Sequence, residues 1–598
     1  MALLGAGLLA STAAVRADDR QMEQYLLSIP TTTAAESDAT RINAESHYAG
    51  TPGDYHIATW MRDQLAAAGF NASIENFPQD VPFSRRLVLQ IVNGKHPTDF
   101  TLTETPIPAD PDGTRRDAGP PFNAWSGSGN VYGPLIDAGH GLEEDYRAIA
   151  ARGYSIKHAI ALVRYGREFR GNLAKRAQDH GAAAVIFFSD PTDRDGSMRG
   201  PAYPDGPYRP MGAVQRGALI QGAIKIPTLP VTATVAQQLT GIMRNGISTK
   251  YVRLTVEMEI KHTTLWNTVG VLVGKDPTHE VVLGAHRDAW VYGVTDNGSG
   301  TSNVLEAARA LGYIYKSGWR PQYSIVIVGF DGEEIGEVGS EAYVRMHHGA
   351  LESGALAYIN ADETDTGTHF DAMAAAALEN MLPTAAWTVK DPANPSRPLA
   401  ARWESQPDGE RISAPAGGSD FEAFLYDVGT PVMDIGFNGV FGVYHSGFDD
   451  LKFVQTQGDP GFVNRTAVAQ MDALLAMRIA SGTLPYHLVT YAPRMRDAAN
   501  ALSKQTPSGD LSPLRAAIRR FGSVAARADS RGMDGNQEIQ IVHRLNLLFY
   551  SRNGYAGTAF PHISDAIASA NQGAISASVG RTAHDLDDIT SAIAASTR

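Results

Sequence analysis

Six ionisable side chains follow predicted strands, and they are of the types that bind metal ions. Apolar runs at residues 281–284, 323–330 and 355–360 predict three buried strands, and a fourth is predicted at 431–435. The side chains that follow these strands are His286, Asp296, Glu333, Glu334, Asp362 and His445. An acid at such a position commonly caps the next helix. Four placements at one edge of an α/β sheet, where ligands bind, favour a shared site instead.

The charge of this set matches two divalent cations. The carboxylates of Asp296, Glu334 and Asp362, with a bridging hydroxide, carry four negative charges, and the two imidazoles are neutral. Imidazole and carboxylate ligands without a thiolate suit zinc best, with cobalt and manganese as alternatives. Two ions about 3.5–4 Å apart share a carboxylate and polarise one water. We therefore expect two zinc ions per chain.

The adjacent pair Glu333 and Glu334 indicates how the work is divided at such a site. One carboxylate binds metal, and its neighbour points elsewhere and is free to take a proton from the attacking water. Asp288, two residues beyond His286, is expected to contact that imidazole ring from behind and orient it.

Composition limits the function classes. A chain of 598 residues exceeds one ordinary core, and 43% hydrophobic with 19% charged residues is typical of a soluble globular protein. The net charge of -13 argues against nucleic-acid binding, which needs a basic face. The absence of cysteine excludes disulfides and thiolate chemistry.

The first 17 residues have the character of a secretory signal peptide. They are small and apolar and end in Val15-Arg16-Ala17, a small-x-small cleavage pattern, although a basic segment at the start is missing. The run is too short to span a bilayer, and no later run approaches about 18 apolar residues. We expect an exported protein, periplasmic or secreted, with no stable membrane span.

The order of predicted elements indicates an α/β fold with an insertion. A helix begins near Gly53 and Asp54 and ends at Gly69; strand-like runs with Gly/Pro-rich loops follow; the α/β pattern then resumes, and the C-terminal part is helical. The first piece is too small to fold alone, which is why the β-rich part is interpreted as inserted. The expected division is 1–17 signal peptide, 18–86 first part of the main domain, 87–262 inserted domain, 263–484 second part of the main domain with the metal site, and 485–598 helical domain.

Several motifs carry a resemblance to a known family. HRDAWVYGVTDNGSG, FDGEEIGEVGS, YINAD and YHSGFDD resemble the dinuclear-zinc peptidases of family M28, and more narrowly its glutamate carboxypeptidase II and transferrin-receptor-like branch. In the inserted region RYGREFRGN, SDP, YPDG and VQRG match that branch, as does NGYAGTAFP near the C-terminus. The resemblance covers nearly the whole chain after residue 17.

The resemblance implies a mixed-sheet zinc peptidase domain, an inserted β-rich PA-type apical domain and a C-terminal helical dimerisation domain, hence a homodimer that acts on peptide substrates. By matching motif positions, it implies that His286 and Asp362 hold one zinc and that Glu334 and His445 hold the other. It also implies that Asp296 bridges the two ions and that Glu333 is the general base.

The chain departs from this branch on the acyl side of the scissile bond. Glutamate carboxypeptidases of the family line that pocket with arginines, and the matching positions here are Ala372, Asp434 and Gly436. An acidic acyl residue would therefore meet repulsion, and we expect an apolar or basic one instead.

The family's residues that bind the released C-terminal residue, on the leaving side of the scissile bond, are partly retained. Arg170, Tyr444 and Tyr555 match residues that hold a free α-carboxylate, a task that suits a guanidinium. Tyr208 and Gly554 stand where the family has the asparagine and lysine that read glutamate, so we expect apolar or aromatic C-terminal residues. Gly418 and Ser419 complete the expected substrate-binding set. Ala342 and Arg345 replace an acidic pair of the family's calcium site, and we expect no calcium.

Three functions are compatible with these observations. The favoured one is a metallopeptidase that releases a C-terminal residue from small peptides. An M28 aminopeptidase is the alternative, because it shares every metal ligand and Asp434 could anchor a substrate ammonium. A transferrin-receptor-like binding protein is disfavoured because all five ligand positions and Glu333 are retained. Arg170 favours the carboxypeptidase, since an aminopeptidase needs an acidic anchor.

Overall fold

The computed structural model describes residues 17–92, 96–191, 200–507, 509–553, 555–569 and 571–597. The expected signal peptide lies outside the described residues except for Ala17, and Gly554 also lies outside them.

The helices of the described residues are numbered α1 to α18 in chain order: Ala17–Leu27, Thr32–Ile42, Pro52–Ala68, Glu143–Ala151, Arg170–Asp179, Ala233–Gly241, Gly298–Lys316, Val338–Gly354, Met381–Ala386, Leu399–Glu404, Phe421–Asp427, Leu451–Phe453, Val463–Ala480, Tyr491–Gln505, Ser512–Arg531, Gly535–Phe549, Pro561–Ala568 and Gln572–Ser596. The strands are β1 to β20: Asn71–Val92, Thr98–Asp99, Gly129–Gly133, Leu135–Asp137, Ile160–Arg164, Ala184–Phe188, Thr228–Pro230, Met243–Arg244, Ile247–Ser248, Tyr251–Leu272, Asp276–His286, Tyr323–Phe330, Ala355–Asn360, His369–Ala374, Lys390–Asp391, Asn394–Pro398, Ile412–Ser413, Val432–Asn438, Tyr550–Asn553 and Ala556–Ala559.

A mixed ten-stranded sheet organises the molecule, in the order β17-β14-β18-β13-β11-β12-β10-β1-β2, with β3 pairing on β10. Its centre is parallel, because β11 pairs in parallel with both β12 and β13, and β13 pairs in parallel with β18. These strands are almost continuously apolar and buried on both faces, as parallel strands covered by helices must be. Their carboxyl ends therefore meet at one edge.

A long two-stranded ribbon joins this sheet to the inserted region. β1 and β10 are 22 residues each and pair antiparallel from one end to the other, with one register shift between Ser84 and Arg86. Their distal halves pack against a second, six-stranded sheet in the order β7-β6-β5-β4-β9-β8, and Leu89, Val252 and Ile186 belong to that shared core. The expected domain boundaries at 86/87 and 262/263 fall inside these two strands, and the division into domains stays a prediction.

The C-terminal helices do not have a core of their own. Buried residues of α15, α16 and α18, such as Phe521, Val542 and Leu586, belong to the same apolar cluster as Val282 and Ile327 of the central sheet. The expected fold class is confirmed: an α/β domain with a mixed sheet, a β-rich insertion and a helical C-terminal region. Within the described ranges, no helix has the length and apolar character needed to cross a membrane.

Candidate metal centre

Three neighbouring parallel strands deliver the candidate ligands to one edge of the sheet. β11 ends at His286, β12 leads into the single turn that carries Glu333 and Glu334, and Asp362 follows two residues after β13. Asn297 joins two of these loops, because its side chain accepts from Gly300 N at 3.0 Å and donates to Ala361 O at 2.9 Å. A Cβ at Gly300 would collide with that same carbonyl, so glycine is required for this close approach.

The structure brings the five expected metal ligands together in two overlapping groups. His286, Asp296 and Asp362 form one, and Asp296, Glu334 and His445 form the other, with the ligand atoms of each group within 4.8 Å of one another. His286 Nε2 lies 3.4 Å from both Asp296 Oδ1 and Asp362 Oδ1. His445 Nε2 lies 3.1 Å from both Asp296 Oδ2 and Glu334 Oε2. Asp296 thus offers one oxygen to each group.

Both imidazoles are oriented for binding through Nε2. The Nδ1 atom of His286 lies 3.0 Å from the carbonyl of Asp288, and that of His445 lies 3.2 Å from the carbonyl of Arg216. A carbonyl can only accept, so each Nδ1 carries a proton, and each Nε2 points into the cavity, where it can bind a cation.

The electrostatics of the cluster fit a pair of cations. Burial lowers the pKa of His286, but the nearby carboxylates, Asp362 foremost, raise it well above its usual range. Burial also raises the pKa of Glu334. Glu334 Oε1 and Asp362 Oδ1 are buried without a hydrogen-bond partner, and a metal ion would satisfy both atoms. The donor set and the uncompensated negative charge both suit divalent zinc.

Three further side chains hold the ligand-bearing loops. The carboxylate of Asp288 accepts hydrogen bonds from Glu333 N at 3.1 Å and Glu334 N at 3.3 Å, so Asp288 supports the His286 ring through its carbonyl and the glutamate turn through its side chain. Ser419 Oγ donates to Asp362 Oδ2 at 2.6 Å. Asp449 was not expected from the sequence, although it lies in the YHSGFDD motif, and it accepts from the amides of residues 295 and 296.

Glu333 belongs to neither group and faces the same cavity. Its Oε2 lies 3.9 Å from His286 Nε2, and its side chain is 13% exposed. Burial raises the pKa of Glu333 well above its usual range, and the neighbouring Glu334 and Asp362 add to that rise. A carboxylate of raised pKa that is not needed as a ligand is suited to accept and return a proton near neutral pH.

Arg170, Tyr444 and Tyr555 line the same cavity. The guanidinium of Arg170 is buried; its Nη1 donates to Tyr555 Oη at 3.1 Å, and its Nη2 lies 3.5 Å from His445 Nδ1. The structure does not bring Tyr208 to this cavity. The carbonyl of Tyr208 accepts from Tyr203 N at 2.7 Å in a tight loop, and its ring packs on Gly200.

A recess of about 290 Å³ adjoins Asp362. It contains Gly418, Ser419 and the three positions that lack the family's arginines, Ala372, Asp434 and Gly436. Asp434 accepts from Asn360 Nδ2 at 2.6 Å, and burial raises the pKa of Asp434 well above its usual range. Glu363 and Asp371 also line this recess, so its described charged groups are all acidic.

A second recess of about 580 Å³ opens beside Tyr555 and contains both charge signs. Arg552 pairs with Glu337 at 2.9 Å and with Glu422, and Glu341 lines the same space. The sequence did not indicate these charges near the leaving side, because the partners are about 130 residues or more apart in the chain.

Comparisons with known proteins agree with this geometry. A sequence model of peptidase family M28 matches residues 267–463, which include both candidate metal-binding groups, and one of the PA domain matches residues 131–221. The chain is 28% identical over 508 residues to "Probable glutamate carboxypeptidase LAMP1" of Arabidopsis thaliana, covering 77% of this chain and 73% of that protein. It is 25% identical over 628 residues to "Aminopeptidase NAALADL1" of Mus musculus, covering 88% and 84%. Among solved structures, BSAP, a zinc aminopeptidase from Bacillus subtilis, is similar in fold with a TM-score of 0.52 at 18% identity, over 74% of this chain and 94% of that one.

Proposed function

Because the chain carries a peptidase domain of family M28 with an inserted PA domain, we propose that it is a zinc-dependent exopeptidase that releases the C-terminal residue of small peptides. The observation that carries the proposal is the shared carboxylate of Asp296 between two metal-binding groups, with Glu333 beside them.

His286 and Asp362 would hold one zinc ion, Glu334 and His445 the other, and Asp296 both. When bound, the two ions polarise a water molecule and the scissile carbonyl. Glu333 accepts the proton of the attacking water on its carboxylate and returns it to the leaving nitrogen. Asp288 keeps the turn of Glu333 in place through its two accepted hydrogen bonds.

Arg170 is the group that favours release of a C-terminal residue. It is a buried cation in the cavity of the metal-binding groups, and Tyr444 and Tyr555 flank it. A free α-carboxylate would pair with this guanidinium and accept hydrogen bonds from the two hydroxyls. No described carboxylate forms an ion pair with Arg170, so the cation is available to a substrate.

An aminopeptidase of the same family is the second candidate. The recess lined by Glu363, Asp371 and Asp434 could receive a substrate ammonium, and one of the relatives is named an aminopeptidase. A binding protein without activity is a weaker candidate, because all five ligand positions and Glu333 are retained.

Three versions of one dipeptide separate these functions: one with both termini free, one with a blocked N-terminus and one with a C-terminal amide. We expect the N-blocked peptide to be cleaved and the amide to be cleaved at least about 10-fold more slowly, since Arg170 loses a charged partner. The reverse order would favour the aminopeptidase.

Two variants assign this effect to Arg170. Arg170→Gln should lower kcat/KM for the free acid by about 10–100-fold and leave the amide nearly unaffected. Arg176→Gln removes another arginine of helix α5, one that pairs with Glu168 at 2.8 Å, and serves as the matched control.

We further propose an exported homodimer. Export rests on the composition of residues 1–17. Dimerisation rests on the family resemblance of the C-terminal helical segment and on two-fold pairs being the commonest assemblies.

A further inference from the structure

The segment that carries His445 is held mainly by the inserted region. Outside the metal cavity, described hydrogen bonds of residues 441–447 reach Pro207, Arg209, Arg216 and Glu104. Gly442 N donates to Pro207 O at 2.9 Å, and Arg209 Nη2 donates to Tyr444 O at 2.8 Å. Three of these four partners lie in the stretch matched by the PA domain, and Glu104 precedes it.

Glu104 and Arg216 form a buried ion pair at the centre of this contact. Arg216 Nη1 and Nη2 lie 3.3 Å from the two carboxylate oxygens of Glu104, and both side chains are at most 3% exposed. The same carboxylate accepts Gly447 N at 3.0 Å, two residues after the metal-binding histidine. The pair therefore joins the inserted region directly to the histidine loop.

Arg216 also contacts His445 through its backbone in both directions. Arg216 N donates to His445 O at 3.2 Å, and Arg216 O accepts from His445 Nδ1 at 3.2 Å. Arg216 Nη1 adds a longer contact of 3.4 Å to His445 O. One residue thus fixes the carbonyl of His445 and the direction in which its Nε2 points.

The backbone of His445 needs such support. Its φ angle is 56°, in the left-handed region that costs a side-chain-bearing residue conformational free energy. A loop with such a residue keeps this conformation only when its surroundings determine it.

We propose that the Glu104–Arg216 pair is a positioning element through which the inserted domain sets the His445 ring for the Asp296–Glu334–His445 group. Without the pair, the loop relaxes and this group loses its imidazole, while the His286–Asp296–Asp362 group keeps its own ring support from Asp288. The inserted domain then contributes to metal binding as well as to substrate contact. This inference rests on the proposed metal binding but not on exopeptidase activity.

The test compares Glu104→Gln with Asp137→Asn, the same carboxylate-to-amide change in a partly exposed ion pair of the same domain, where Asp137 lies 2.9 Å from Arg164 and has no described hydrogen bond to the loop. Zinc affinity is measured by competition with a chelator, and hydrogen exchange of residues 441–447 is measured in the metal-free protein. In Glu104→Gln we expect the weaker-bound zinc to lose about 10–100-fold in affinity and the loop to exchange faster. Asp137→Asn should change neither.

A second variant guards against misfolding. Glu104→Gln combined with Arg216→Met removes both charges of the pair together, so it should fold better than the single variant while still releasing the loop. Wild-type zinc affinity and loop exchange in the folded double variant would overturn the proposal. Equal effects of Glu104→Gln and Asp137→Asn would also overturn it. The exchange measurement needs neither zinc nor peptide, so failure of the proposed function would be seen separately.

Discussion

The carboxylate of Asp449 accepts the backbone N–H of Asp296 at 3.0 Å, and its other oxygen accepts that of Thr295 at 2.9 Å. Asp296 is the side chain shared by both candidate metal-binding groups. Its backbone is therefore fixed by a second acid from the far loop, which leaves both of its own oxygens directed towards the two histidines.

The first prediction concerns the number of ions. Two divalent cations balance the cluster, so protein purified without added metal should contain close to two zinc ions per chain by elemental analysis. Calcium should not exceed background. Full activity at one zinc or fewer per chain would contradict the dinuclear site.

The second prediction separates proton transfer from metal binding. Glu333→Gln is nearly isosteric but cannot accept a proton, so turnover should fall about 10²–10⁴-fold while zinc content stays at the wild-type value. Asp296→Asn should instead lower zinc content, because the amide offers one weaker oxygen to two groups. Near-normal turnover in Glu333→Gln would remove this residue from the role of base.

The third prediction concerns the acyl-side recess. With Glu363, Asp371 and Asp434 and no described cation in its lining, it should accept a lysyl or leucyl residue better than an aspartyl one. Asp371→Asn should lower kcat/KM for the lysyl substrate about 3–10-fold, the effect of losing a partly exposed charge pair. The leucyl substrate is the internal control. A preference for the aspartyl substrate would mean that another residue supplies a cation.

The fourth prediction concerns assembly. Light scattering at micromolar concentration should give twice the 64.0 kDa chain mass. A mass of one chain at that concentration would refute the homodimer.

The fifth prediction concerns acid sensitivity. His47 is buried, and desolvation lowers its pKa to about 4. The unfolded chain, with a histidine pKa near 6.5, binds more protons between these values, so stability must fall as the pH falls through that range. From pH 7 to pH 5 this residue should lose about 2 kcal/mol. His47→Asn keeps a donor for Glu45 O and should show a pH dependence smaller by that amount in urea unfolding of the metal-free proteins. An unchanged dependence would contradict the burial of a neutral ring.

The sequence was sufficient to predict which side chains meet at one edge of the sheet, because strand ends are visible as breaks in apolar runs; that these side chains bind metal stays a prediction. The resemblance to family M28 is confirmed by the match over residues 267–463. Contacts between distant loops were not predictable in this way. From the sequence, Asp449 is an acidic residue in a loop with no indicated partner. Residues 104 and 216 are separated by 112 positions, and nothing in the sequence indicates that they pair.

Local sequence signals also gave wrong or weak predictions of helix and strand boundaries where tertiary contacts determine them. Gly53 and Asp54 were expected to begin a helix, but Thr51 is its N-cap, and Asp54 is buried against Arg287. Strand β1 contains Pro78 and Pro82, and proline in a sequence argues against a central strand. In the structure both prolines lie within the paired ribbon: Pro78 is opposite Thr264 of β10, and Pro82 is opposite Ile260.

The two 22-residue strands β1 and β10 extend from the central sheet to pack against the second sheet, and they also limit how the inserted region can move or be removed. A hinge needs a few residues that are free to change their backbone angles, and here the connection is a β-ribbon about 70 Å long whose pairing is broken at one register shift, between Ser84 and Arg86. We therefore expect the ribbon to bend and twist gradually, which changes the distance between the inserted region and the metal-ligand cavity only by small amounts. Proteolysis or a deletion that removes the inserted region must cut hydrogen-bonded strands. We therefore expect that neither part folds stably on its own.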